Sequence, residues 1–113
     1  GGAPLSGLDV VVYSRTLRPA DYPGATIVHT DPAQSVRSLK ERPGKDIWLF
    51  GGGELFRTLL EAGLVDTVEP AVVPVLLGGG VPLLPSPAAR TRLSLSRHRV
   101  YPKSGIVLLE YTV

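Results

Sequence analysis

The run Asp46–Ala62, DIWLFGGGELFRTLLEA, decides how this chain is read. Ile47–Phe50 is four apolar residues in succession, the pattern of a strand covered on both faces, as in a parallel sheet. Gly51-Gly52-Gly53 ends that run, and Leu55, Phe56, Leu59 and Leu60 then recur at helical spacing until Gly63 stops the helix. A strand, a glycine turn and a helix start are expected in that order. Glycines lack the β-carbon that would hold a bound group away from the backbone. A helix start offers free N–H groups and the positive end of the helix dipole. Together these suit a diphosphate, although three glycines serve equally as a plain tight turn, and the motif alone leaves both readings open.

Upstream, Asp9–Tyr13 (DVVVY) is a β-branched run and reads as a central strand. A loop rich in Pro and Gly, Arg15–Ala25, leads to a short strand Thr26–His29 and then to Thr30-Asp31-Pro32, a capping side chain followed by proline near the first helical position. The spacing of Ala33, Val36 and Leu39 predicts a helix to about Lys40, with Gln34, Arg37 and Lys40 off its apolar stripe, and Arg42-Pro43-Gly44-Lys45 ends it. Strand, helix, strand is a parallel crossover. Downstream, Val65–Val75 reads as a strand in which Pro70 and Pro74 remove two ladder donors, implying bulges or an edge position. After the Gly- and Pro-rich loop Leu77–Arg90, Leu93–Tyr101 and Ile106–Val113 flank Pro102-Lys103-Ser104-Gly105 and form a hairpin.

Composition narrows the function classes. A chain of 113 residues suits one domain with a modest core, and 43% hydrophobic against 19% charged residues is the balance of a packed, soluble fold. There is no cysteine, and His29 and His98 are isolated, so neither disulfides nor a metal site are expected. The net charge is only +2 and the basic residues are scattered, which argues against a nucleic-acid partner. Apolar runs such as Ala71–Leu77, broken by Pro74, are too short for a membrane span. The opening GGAPLSGLDV has no secretion signal, so a cytoplasmic location is expected.

Ser14-Arg15-Thr16 follows the first strand directly. In a parallel sheet the carboxyl ends of neighbouring strands face one crevice, which would set Ser14–Thr16 and Gly51–Gly53 on the same rim. A serine hydroxyl and an arginine fork suit a phosphate monoester such as the 2′-phosphate of NADPH; a polar strand end is the plain alternative. Gly78-Gly79-Gly80 reads as a connection, Asp66 and Glu69 as capping or partner-facing acids, and Arg90, Arg92, Arg97 and Arg99 as the wet face of a sheet.

In order, VVVYSRTL, DIWLFGGGELFRTLLEAGLVD, VVPVLLGGGVPLL and SGIVLLEYTV resemble the C-terminal two-thirds of the dihydrofolate reductase-like superfamily. The closer likeness is to its bacterial branch related to the reductase domain of the riboflavin-biosynthesis deaminase-reductase, and it covers nearly the whole chain. The resemblance implies an α/β fold with a mostly parallel central sheet, flanking helices and a C-terminal antiparallel hairpin. It also implies NADPH as cofactor, a small-molecule substrate and a homodimer. Carried over by position, Ser14 and Arg15 would hold the 2′-phosphate, with Thr16 an added hydroxyl and Thr30 at the adenosine edge. Gly51 and Gly52 match a glycine pair often joined by a cis peptide, Gly53, Glu54 and Leu55 match the first helical turn over the diphosphate, and Phe50 falls near the nicotinamide.

At one position the chain departs from the riboflavin enzyme, which carries a glutamate before the glycines. Leu49-Phe50 stands here, and an aromatic ring offers no acceptor to a ribityl or pyrimidine group. The resemblance further implies that a first strand, a helix with a substrate-facing acid and a cofactor-gripping helix precede these motifs. Gly1–Leu8 does not carry them, so residues 1–113 are expected to be a single, N-terminally incomplete reductase domain, and no catalytic residue is identified. The function expected is NADPH-dependent hydride transfer to a C=N or C=O bond of a heterocyclic or ribosylamino substrate. The alternative is a truncated, non-catalytic nucleotide-binding or oligomerisation module.

Overall fold

The structure, a computed structural model, describes residues 7–113. Gly1–Ser6, part of the segment read above for a leader and for the upstream elements, lies outside the described residues. The chain divides into two compact units, Gly1–Asp46 and Ile47–Val113.

In the first unit, strands β1 (Val11–Tyr13) and β2 (Thr26–Val28) pair in parallel, Val11 opposite Thr26 and Tyr13 opposite Val28. The strand expected over Asp9–Tyr13 is thus shorter, and its side chains are half-buried rather than covered on both faces. Helix α1 (Pro32–Glu41) begins as its sequence dictates. The Asp31 carboxylate accepts the Ala33 N–H at 3.0 Å, and Pro32 occupies the first turn, where its missing N–H costs nothing. Val36 is buried, with Ala33 and Leu39 half-buried beside it, while Gln34, Arg37 and Lys40 face outward. Tyr13 and Ser35 share a hydroxyl–hydroxyl hydrogen bond of 2.9 Å that ties α1 to β1. The helix ends at Arg42, whose extended backbone is what a following proline demands.

The second unit opens with a correction. Ile47–Phe50 is not a buried strand: it pairs with no other strand among the described residues, and Ile47, Trp48 and Phe50 are 51%, 71% and 82% exposed. The apolar run was read as evidence of burial, but a strand also needs a neighbour to accept its backbone bonds. The expected mostly parallel sheet is therefore present as the β1–β2 pair, without a third parallel strand at this position. Helix α2 (Gly53–Glu61) follows, with Leu59 buried and Leu55, Phe56 and Leu60 half-buried. Gly63, at φ +73°, closes it: the Gly63 N–H donates to Leu60 and the Leu64 N–H to Leu59, the paired bonds of a glycine-terminated helix.

The expected strand Val65–Val75 is interrupted into β3 (Thr67–Val68) and β4 (Ala71–Val72), both antiparallel to β6 (Ile106–Thr112). Pro70 causes the interruption without a bulge, because Val68 opposite Tyr111 and Ala71 opposite Leu108 keep one register. On its other side β6 pairs with β5 (Ser94–Tyr101), completing the expected hairpin around Gly105 at φ +76°. Arg97 and Arg99 lie on one face of β5, whereas Arg90 and Arg92 lie in the preceding loop. Among the described residues no helix is long and apolar enough to cross a membrane.

Candidate functional site

In the first unit the expected site residues gather at the carboxyl end of the parallel pair. The Ser14 N–H donates to the Val28 carbonyl at 3.1 Å, adding one rung beyond β1. Its Oγ accepts the N–H groups of Thr16 at 3.2 Å and Leu17 at 3.0 Å, so the hydroxyl shapes the loop that follows. Two bonds fill the acceptor side of that oxygen and leave its proton to donate outward. Arg15 and Thr16 are exposed, and the Arg15 guanidinium has no hydrogen-bond or salt-bridge partner among the described residues. Thr30, also exposed, lies two residues beyond β2, on the same rim as Ser14–Thr16 because the strands run parallel. Sequence reasoning overlooked the turn-forming bonds of Ser14. The short Ser14-to-Leu17 spacing was the local signal for them.

In the second unit the site is a turn leading into α2. Phe50 packs edge-to-face on Trp48, their centroids 5.4 Å apart. Gly51 has φ +147°, a conformation that residues with a β-carbon rarely adopt, and the Gly51–Gly52 peptide is cis, as the resemblance implied. Gly52 is the N-cap of α2. Its carbonyl accepts the Phe56 N–H at 3.0 Å, but it has no side chain to return a bond to the helix start. The N–H groups of Gly53, Glu54 and Leu55 therefore have neither a carbonyl four residues back nor a cap. A β-carbon placed on Gly51 or Gly52 would meet nothing within 4 Å, so the space beside the turn is open.

Gly53 differs from its neighbours. A β-carbon there would stand 3.0 Å from Pro85 Cδ and 3.2 Å from the Leu83 carbonyl oxygen. This glycine is required by the loop over Pro82–Pro85 that packs on the helix start, a long-range contact with no signal in the local sequence. The Glu54 carboxylate, in the first turn, receives Arg57 Nη2 at 2.6 Å, and Arg57 Nη1 also reaches the Pro87 carbonyl at 3.3 Å. Leu55 is half-buried and so presents its N–H rather than its side chain.

Two open hollows lie away from this turn. One of about 420 Å³ is lined by Arg57, Glu61, Pro87, Ala88 and Ala89. The other, of about 340 Å³, lies on the β5–β6 face over Glu69, Arg97, Arg99, Tyr101 and Glu110. There the hydrogen bonds and charge of Glu110 raise the Arg97 guanidinium above its ordinary value, with a smaller contribution from Glu69. Arg99 lies 4.8 Å over the Tyr101 ring. Neither hollow contains a residue of the glycine turn.

Comparison with known proteins fixes the family. The model of the RibD C-terminal domain matches residues 8–107. The chain belongs to the RibD C-terminal domain family. This family is one of reductase-like domains of riboflavin biosynthesis with the dihydrofolate reductase-like α/β fold. Among its relatives are two uncharacterized proteins of Bacillus subtilis (strain 168). YyaP is 38% identical over 100 residues, covering 88% of this chain and 52% of YyaP. YwjB is 30% identical over 89 residues, covering 77% of this chain and 51% of YwjB. The RibD C-terminal domain chain thus spans about half the length of these curated relatives. The crystal structure of a protein assigned by name to riboflavin biosynthesis, from Shewanella sp. PV-4, superposes with a TM-score of 0.77. It does so at 23% identity over 94% of this chain and 60% of that one. At that identity the superposition speaks for the fold.

Proposed function

We propose that this chain carries the NADPH-binding elements of a reductase acting on a small heterocyclic or ribosylamino substrate. The observation that carries the reading is the start of α2: three N–H groups with no capping side chain, behind a glycine turn with open space beside Gly51 and Gly52. These features fit a diphosphate, whose oxygens accept such N–H groups and whose charge is favoured by the helix dipole. In this reading Gly51 and Gly52 permit close approach, and the N–H groups of Gly53, Glu54 and Leu55 bind the diphosphate. In the first unit the Ser14 hydroxyl and Arg15 hold the 2′-phosphate, with Thr16 beside them and Thr30 at the adenosine edge. Phe50 borders the nicotinamide. When bound, the cofactor supplies a hydride to a C=N or C=O bond.

Arg15 is the sharpest test. An exposed guanidinium without an internal partner is available to a phosphate, and a charge-assisted pair of this kind contributes about 1.5–3 kcal/mol. Arg15→Ala should therefore weaken NADPH by about tenfold or more and leave NADH unchanged. Titration followed by fluorescence of Trp48, the single tryptophan, would measure both. Equal losses for the two cofactors would sink the assignment. A second reading, a nucleotide-binding module without catalysis, is favoured by Glu54: this carboxylate, in the first turn of α2, is already engaged by its salt bridge to Arg57. Substrate turnover by a chain that binds NADPH would exclude that reading.

A further inference from the structure

Arg57 stands at the middle of α2, and its guanidinium serves two partners. It follows Glu54 by one turn, and side chains on a helix lean toward the N-terminus, so the guanidinium returns over the first turn. The helix dipole disfavours a cation there, which means that other groups set its place. Nη2 donates to the Glu54 carboxylate at 2.6 Å, and Nη1 donates to the Pro87 carbonyl at 3.3 Å. The Arg57 side chain is 22% exposed against 77% for Glu54, so the arginine is the packed member of the pair and the carboxylate the one open to solvent.

The bond to Pro87 matters because of how little else holds the segment around it. Pro82–Ala89 contains three prolines, which have no N–H to donate. Among the described residues this loop makes a single hydrogen bond, the one from Arg57 to the Pro87 carbonyl. Its other fixed point is steric: Pro82, Leu83 and Pro85 close on Gly53, where a β-carbon would stand 3.0 to 3.4 Å from them. Both fixed points therefore lie between Gly53 and Arg57, on the helix start itself. The hollow of about 420 Å³ between Arg57, Glu61 and Pro87–Ala89 shows that the far end of the loop is tied across a gap, not by close packing.

We propose that Arg57 is a positioning residue for the cofactor turn, with two duties carried by the two arms of one fork. One arm neutralises Glu54 beside the diphosphate, where a free carboxylate would repel the cofactor. The other arm holds Pro82–Ala89 against the start of α2. The first duty rests on the reading of this turn as a diphosphate site, and the second does not. The diphosphate is common to both nicotinamide cofactors, so the charge of Arg57 acts on NADPH and NADH alike, unlike that of Arg15. Lysine suits the first duty but not both, since its ammonium is a point charge without the fixed spread of the fork.

The test compares the unmodified chain with Arg57→Ala, Arg57→Lys and the double variant Arg57→Ala, Glu54→Gln. Affinity for each cofactor is read from Trp48 fluorescence at low salt. Loop order is read from NMR relaxation of the Leu83, Leu84, Ser86 and Ala88 amides, without cofactor. Arg57→Ala should weaken NADPH and NADH equally, by about fivefold, and lower the order parameters of the loop from about 0.85 to below about 0.6. Arg57→Lys should bind within about twofold of the unmodified chain yet show the loose loop. The double variant should recover affinity to within about twofold while its loop stays loose, a rescue that a merely structural arginine would not give. Unchanged affinity in Arg57→Ala, a loss confined to NADPH, or no recovery in the double variant overturns the charge duty. A loop as ordered in Arg57→Ala as in the unmodified chain overturns the second duty. An unmodified chain that binds neither cofactor overturns the cofactor reading and the charge duty with it, and the loop measurement then decides the second duty by itself.

Discussion

Helix α1 begins with Asp31, whose carboxylate accepts the Ala33 N–H at 3.0 Å, and with Pro32, which has no N–H to satisfy. Helix α2 begins at Gly52, which has no side chain to offer, and its first N–H groups meet no cap. The two starts solve the same problem, the unpaired donors of a first turn, in opposite ways. One is closed by its own sequence and needs nothing further. The other has no capping side chain, with open space beside Gly51 and Gly52 though not beside Gly53, and is suited to an acceptor from outside the chain. In the proposed reading, the anion site at α2 is distinguished from the start of α1 by the capping side chain it lacks, as much as by the glycines it has.

The largest effect expected from breaking this comparison is at Gly53. Valine there would press its β-carbon on Pro85 Cδ at 3.0 Å and on the Leu83 carbonyl at 3.2 Å, and backbone oxygen yields little. Gly53→Val should cost about 1–3 kcal/mol, read as a lower midpoint in urea. An unchanged midpoint would mean that the Pro82–Pro85 loop does not pin the start of α2. Converting the open helix start into the closed kind is the more informative change. Gly52 has ordinary extended backbone (φ −95°, ψ −163°) with free space at its β-carbon, so Gly52→Asp is tolerated sterically. It should stabilise the chain by about 1 kcal/mol as a new N-cap while weakening NADPH by about tenfold, because the cap occupies N–H groups and adds negative charge. Gain of stability with loss of binding is the signature; a parallel change in both would refute the distinction between the two starts.

What was legible in the sequence follows the same division between local and distant causes. Asp31-Pro32, Gly63 and Gly105 announce a helix start, a helix end and a hairpin turn by chemistry contained within a few residues, and each is found in place. The glycine turn was legible for the same reason. Ile47–Phe50 was misread because a strand is defined by its neighbours, and apolarity alone does not supply one. The break of Val65–Val75 into β3 and β4 was half legible: Pro70 signals a lost donor, but only the unbroken register with β6 shows that the loss falls on the inner ladder and not on the edge. Gly53, expected in the first helical turn over the diphosphate, is also constrained by a loop some thirty residues later, which no local pattern reveals.

Opening the closed start should have a smaller effect. Asp31→Ala removes the acceptor for the Ala33 N–H and should cost about 1 kcal/mol, seen as a lower thermal midpoint, with NADPH affinity unchanged. A loss of affinity would show that α1 also serves the cofactor. The finest adjustment is Glu54→Gln in the first turn of α2. The Glu54 side chain is 77% exposed, and solvent screens its bond to Arg57, so the ion pair and the favourable charge at the helix start together contribute about 0.5 kcal/mol. A carboxylate at that position also repels a bound diphosphate. The variant should therefore be slightly less stable yet bind NADPH about twofold more tightly at low salt, a gain that fades toward 1 M salt, where the screening length falls to about 3 Å. Unaltered affinity at low salt would place the diphosphate away from this turn, and with it the acceptor that the open start of α2 requires.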